Sequence, residues 1–187
     1  MTVSPSTGRG AASPSTGRGA ATHRAHTVVD SPVGPLTLVS IEGALSGLYM
    51  DRRRHPPPDD IFGEPDPAPF AEAARQLEAY FGGTLGEFDL PLTLVGTPFQ
   101  RTVWTALRRI PYGETVSYRE LADWIGRPTA ARAVGLANGR NPIGIVVPCH
   151  RVVGSSGDLT GYGGGLDRKR WLLDFERSAS RGRSVPG

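Results

Sequence analysis

The sequence predicts an α+β protein: a small N-terminal antiparallel sheet-plus-helix domain, followed by a mainly helical C-terminal domain with a helix-turn-helix. Three observations carry this. Short β-rich runs separated by turn residues fill positions 26–50, an apolar helical repeat fills 70–81, and capping signatures begin at Thr97 and Ser117.

Taken in order, the chain opens on a tandem repeat, SPSTGRGAA at 4–12 and again at 13–21, with no large apolar side chain. Such a segment cannot offset the entropy of ordering, so residues 1–22 are expected to form a disordered tail. An N-terminal domain is expected over 23–92. In it, runs at 26–30, 36–40 and 45–50 are separated by Ser-Pro-Val-Gly-Pro and Glu-Gly-Ala and read as a three-stranded meander. Positions 52–69, rich in Arg, Pro and Asp, read as a loop. Phe70, Ala73, Ala74, Leu77, Tyr80 and Phe81 then recur at helical spacing, and Gly82-Gly83 would end that helix. An extended linker is expected over 85–94.

The second domain, expected over 93–178, starts with Thr97-Pro98-Phe99-Gln100, a capping box with proline at the first helical position. Ser117-Tyr118-Arg119-Glu120 is a second box, opening a short helix that Gly126 should end. A third helix is expected from near Pro128 to about Asn138, and the pair suggests a helix-turn-helix. Ala130, Ala131, Ala133, Gly135 and Ala137 make its surface small, with Arg132 alone among them. Tight helix packing selects small residues, and so does close approach to a nucleic-acid groove. A last helix, Leu166–Arg177, is expected to end near Glu176, where an acid opposes the helix dipole. Residues 179–187 read as a flexible tail.

Composition narrows the function. No apolar run approaches the ~20 residues of a membrane helix, and no secretory h-region is visible, so a soluble cytoplasmic protein is expected. One cysteine rules out an internal disulfide framework. Charge is uneven: residues 1–90 carry seven Arg and eleven Asp/Glu, whereas 91–187 carry fourteen Arg/Lys and seven Asp/Glu. A basic C-terminal half suits a polyanion.

That cysteine, Cys149, sits in IGIVVPCHR, next to His150 and ahead of the glycine-rich VVGSSGDLTGYGGG. A lone cysteine is by default a small buried hydrophobe. A neighbouring histidine changes the reading, because the thiolate is the reactive form and an imidazole can take its proton. Glu176 is the candidate to hold that imidazole in one tautomer and stabilise its cation. On an extended chain residues 149 and 150 point to opposite faces, which favours a water bridge between them.

NPIGIVVPCHRVVG and TGYGGGLDRKRWLLDFE, together with GTPFQRTVWTAL, IPYGETVSYRELA and AARAVGLANGRNP, closely resemble the O6-alkylguanine-DNA alkyltransferase family, in order and spacing, over about residues 26–177. The resemblance implies irreversible, single-turnover transfer of an alkyl group from O6-alkylguanine, and from O4-alkylthymine, to Cys149. It implies an activating relay of His150 and Glu176, with Asn141 holding the segment before the cysteine. Tyr118 would help rotate the target nucleotide and protonate the departing base. Arg132 would fill the gap in the base stack, with Thr129, Ala130, Ala131, Ala133 and Gly135 against the minor groove. Tyr118, Val152, Tyr162, Gly163 and Gly164 would line the guanine pocket. No cofactor is implied, and with one cysteine the structural zinc of some relatives is not expected. The implied partner is double-stranded DNA, bound by a monomer, and no membrane. Non-catalytic lesion-recognition proteins of the same fold, the alternative reading, usually carry tryptophan where Cys149 stands.

Overall fold

The computed structural model describes residues 22–51 and 58–183. The tail expected over 1–22 therefore lies, but for residue 22, outside the described residues. Strands β1 (Arg24–Val29), β2 (Leu36–Ile41) and β3 (Ala44–Met50) form the expected antiparallel meander. A fourth strand, β4 (Glu64–Pro65), pairs parallel to β1 at the sheet edge, inside the stretch read as loop. Two residues are too few to show alternation, and at an edge the missing proline N–H costs no ladder bond.

Helix α1 (Ala71–Phe81) buries Ala73, Leu77 and Tyr80 against this sheet, and Gly82 caps it as expected. The linker is fixed at two points. The Gln76 side chain donates to Asp89 O at 2.8 Å and accepts from Asp89 N at 2.9 Å, and Leu45 exchanges backbone bonds with Pro91 and Thr93.

In the C-terminal domain, α2 (Pro98–Leu107) and α3 (Tyr118–Trp124) each begin with both halves of their capping boxes formed. Gly126 follows α3 at φ +69°, a left-handed position that favours glycine. Helix α4 (Ala131–Gly139) starts three residues later than Pro128 suggested. Pro128, Thr129 and Ala130 form a turn instead, closed by Ala130 N donating to Arg127 O at 2.8 Å. The Trp104 indole donates to Ala137 O at 2.9 Å and pins α4 to α2.

Two further findings depart from expectation. Val116–Ser117 (β5) and Val152–Val153 (β6) make a two-stranded parallel pair. Helix α5 runs Leu166–Arg183, past both the expected end near Glu176 and the start of the expected tail at 179. Glu176 is thus interior to α5, and the proposed conflict with the helix dipole does not arise, because the dipole acts within the last turn.

The domains meet through backbone. Leu48 of β3 donates to Pro142 O at 2.9 Å and accepts from Gly144 N at 3.3 Å. Among the described residues no helix is long and apolar enough to cross a membrane.

Candidate active site

Residues 143–149 reach the site buried, but for half-buried Gly144, and not extended. Backbone bonds Val146 N to Gly144 O and Cys149 N to Val147 O, both 2.8 Å, fold the segment tightly, and Ile145 sits at φ +69°. Asn141, 2% exposed, spans the fold: its Nδ2 donates to Val147 O at 2.7 Å, and its Oδ1 accepts from Ile143 N at 3.0 Å. Cys149–Arg151 is a single 3₁₀ turn, not an extended strand, so the argument from opposite faces does not hold. The Cys149 carbonyl is held by Val152 N–H and by Asn138 Nδ2 at 3.3 Å.

The turn directs His150 and Arg151 into the interior. His150 is fully buried, and its Nε2–H donates to Glu176 Oε1 at 2.8 Å. Its Nδ1 has no hydrogen-bond partner among the described residues. Burial lowers the His150 pKa, against the pull of Glu176, so the ring is neutral near pH 7 and Nδ1 is the acceptor. Arg151 grips Glu176 in a fork, Nε to Oε2 and Nη2 to Oε1, both 2.9 Å, and its Nη1 donates to Ile110 O at 2.7 Å. Tyr80 and Gly113 N complete the carboxylate's donors. Burial pushes the Glu176 carboxyl up, but hydrogen bonds and charge from His150 and Arg151 outweigh it and hold it well below the carboxylate range.

Lys169, fully buried, faces the site from α5. Its Nζ donates to Val152 O at 2.6 Å and Thr160 O at 2.7 Å, and lies 5.9 Å from the Tyr118 ring centre. Burial pulls its pKa down to about 8, and the Cys149 thiolate opposes that fall. Arg151 is engaged with Glu176, whereas Lys169 is a second buried cation whose charge would favour a thiolate at Cys149. Tyr118 is half-buried and donates to Thr160 O at 3.0 Å, and burial raises its pKa, so it stays protonated.

A small cavity of about 20 Å³ adjoins Cys149, lined among others by Asn141, Tyr162, Gly163 and Gly164, and by Leu48 and Met50 of β3. Val152 and Tyr118 do not line it. Val152 is buried in the β5–β6 pair. On α4, Arg132 and Ala133 are exposed while Ala131 and Gly135 are half-buried, and exposed Thr129 and half-buried Ala130 precede the helix. Leu136, 65% exposed, follows Arg132 by one turn and precedes Arg140 by another.

Sequence reasoning gave no role to Arg151, Lys169, Tyr80, Leu48 or Met50. One signal was available: Lys169 is the sole lysine among 21 basic residues, and lysine, unlike arginine, adjusts its pKa when buried. The others depend on contacts between distant segments.

Residues 98–178 match the family model described as 6-O-methylguanine DNA methyltransferase, DNA binding domain, and 25–94 match the same family's ribonuclease-like domain. The methylated-DNA–protein-cysteine methyltransferase of Mycobacterium tuberculosis is 58% identical over 153 residues, covering 82% of this chain and 92% of that one. That of Methanosarcina barkeri is 52% identical over 159 residues, covering 83% and 99%. The crystal structure of Mycobacterium tuberculosis OGT in complex with DNA superposes with a TM-score of 0.77 at 56% identity, covering 84% of this chain and 94% of that one. The chain therefore belongs to the 6-O-methylguanine DNA methyltransferase family and is a DNA-binding, methylated-DNA–protein-cysteine methyltransferase.

Proposed function

We propose that this protein reverses DNA damage by one irreversible transfer of the alkyl group of O6-alkylguanine to Cys149. The observation that carries the reading is the buried junction of Cys149, neutral His150 and the Arg151-held Glu176 carboxylate beside a small cavity. His150 Nδ1 takes the thiol proton through a bridging water, and Glu176 stabilises the resulting imidazolium. The thiolate, stabilised by Lys169, attacks the alkyl carbon. An S–C bond forms, the C–O6 bond breaks, and its electron pair leaves with the base. Tyr118 gives that base a proton and regains one from the relay, so the thiol proton ends on guanine. The product is a thioether that water does not cleave, so each molecule acts once. The same displacement fits O4-alkylthymine.

The alkyl carbon is shielded within a duplex, so the nucleotide must be flipped out, at a cost of a few kcal/mol. Arg132, long and exposed on a helix of small residues, suits insertion into the stack from the minor groove. The basic half of the chain supplies phosphate contacts. The acceptor and DNA-binding functions are assigned to 93–178, with the protein acting as a monomer.

Intact-mass measurement after incubation with duplex DNA containing O6-methylguanine tests this. The peptide bearing Cys149 should gain one methylene equivalent, saturating at one per protein, with no gain in Cys149→Ala. Unchanged mass in properly folded wild-type protein would refute the proposal.

A further inference from the structure

We infer that Met50, from the N-terminal domain, is the movable wall of the acceptor cavity and sets the largest alkyl group that Cys149 accepts. The inference rests on the alkyl-acceptor reading above and names a substrate limit for it.

The cavity beside Cys149 measures about 20 Å³. One water-sized sphere needs ~10–15 Å³ by this kind of measure, so the space beside the cysteine is narrow and each carbon added to an alkyl group presses further on its walls. Most walls are fixed. Asn141 is tied to Val147 O and Ile143 N. Gly144 is bonded to Leu48, whose own N–H is held by Pro142 O. Arg168 anchors the backbone on either side of the remaining wall, donating to Asp51 O at 2.5 Å and to Gly164 O at 3.2 Å.

Between those anchors the Met50 side chain lines the space beside Tyr162 and Gly163. A Cβ on Gly164 would stand 2.6 Å from Met50 Sδ and 2.8 Å from Tyr162 Cε1, so the glycine loop packs directly on both. The Tyr162 hydroxyl donates to Met50 Sδ at 3.8 Å, a weak bond because thioether sulfur is a poor acceptor. Methionine is unbranched, with three rotatable bonds, and repacks more readily than its neighbours. Leu48 lies on the same face of β3, two residues earlier, but is γ-branched and 1% exposed. Met50, at the end of β3, is 7% exposed and unbranched, so of the two it is the wall that yields at lower cost.

Transfer rates from otherwise identical duplexes carrying O6-methylguanine or O6-butylguanine test this in wild type, Met50→Ala and Met50→Ile. Removing the thioether should raise the butyl-to-methyl rate ratio about tenfold, the scale of a methylene or so in an apolar pocket. Isoleucine, of similar volume but stiff at Cβ, should lower it about as much. Circular dichroism checks each fold, and Met50→Val supplies the enlarged cavity should the alanine variant not fold. A merely structural role moves both rates together. Ratios within about twofold of wild type in both directions would overturn the gate while leaving the alkyl-acceptor reading intact. A folded wild type that accepts neither group would overturn both.

Discussion

The hydroxyl of Tyr80 on α1 donates to Oε1 of Glu176 on α5 at 2.7 Å, so the N-terminal domain supplies one of the five hydrogen bonds that the buried carboxylate accepts. The N-terminal domain therefore contributes to the charged core behind Cys149 as well as to the wall of the cavity beside it.

Tyr80→Phe removes that bond and little packing. A hydrogen bond to a charged group contributes about 1.5–3 kcal/mol, so urea denaturation should show a loss of that size with an unchanged m-value. A loss below about 0.5 kcal/mol would show that the remaining donors compensate fully.

Glu176→Gln strands the Arg151 guanidinium without its charge partner, and breaking one side of a buried pair costs about 3–5 kcal/mol. The pH dependence has a definite sign. The Glu176 carboxyl lies below its ordinary value of 4.5 in the folded protein, so its contribution is complete above that pH and is lost progressively beneath it. The stability gap between wild type and variant, measured by denaturation at neutral and acid pH, should therefore narrow as pH falls below 4.5.

Lys169→Met removes the cation facing Cys149. The thiolate loses a nearby positive charge, and the reaction with iodoacetamide near pH 7 should slow by about tenfold. Wild-type stability should also climb between pH 8 and 10.5, where the unfolded chain holds a proton that folded Lys169, at about 8, has lost. The methionine variant should lack that climb. Identical thiol titrations in both proteins would remove Lys169 from the activation argument.

Arg132→Ala should slow repair of duplex DNA while scarcely changing transfer from the free alkylated base, and surface substitution here should shift stability by no more than about 0.5 kcal/mol. Equal losses on both substrates would contradict insertion into the base stack.

Where the sequence spoke clearly, local chemistry decided the outcome. Thr97–Gln100 and Ser117–Glu120 each form the reciprocal cap their residue types specify, and Gly126 takes the left-handed position that ends α3. Cys149, His150 and Glu176 could be picked out because their chemistry is unusual in that pattern, whereas Asn141 came only from the family resemblance. Where it misled, tertiary contacts override local preference. Glu176 looked like a helix end because SASRGR is polar, yet α5 continues through it to Arg183. The 3₁₀ turn at Cys149–Arg151 replaces an extended run because Arg151 and His150 both turn inward to one carboxylate. Tyr80 and Met50 read as ordinary core residues, since nothing local reveals that their packing partners belong to the site.

Ile145, β-branched and fully buried, holds a backbone conformation that costs such a residue about 1–3 kcal/mol. No preference of the isolated segment favours it; the Asn141 bonds and the Leu48 bridge impose it. The order of folding follows. The segment before Cys149 is expected to take its native course only once β3 and α4 are in place, so any thiol reactivity that depends on the folded site should appear late in folding. Thiol trapping during refolding should accordingly show enhanced Cys149 reactivity arising with the last kinetic phase, and not with an earlier one.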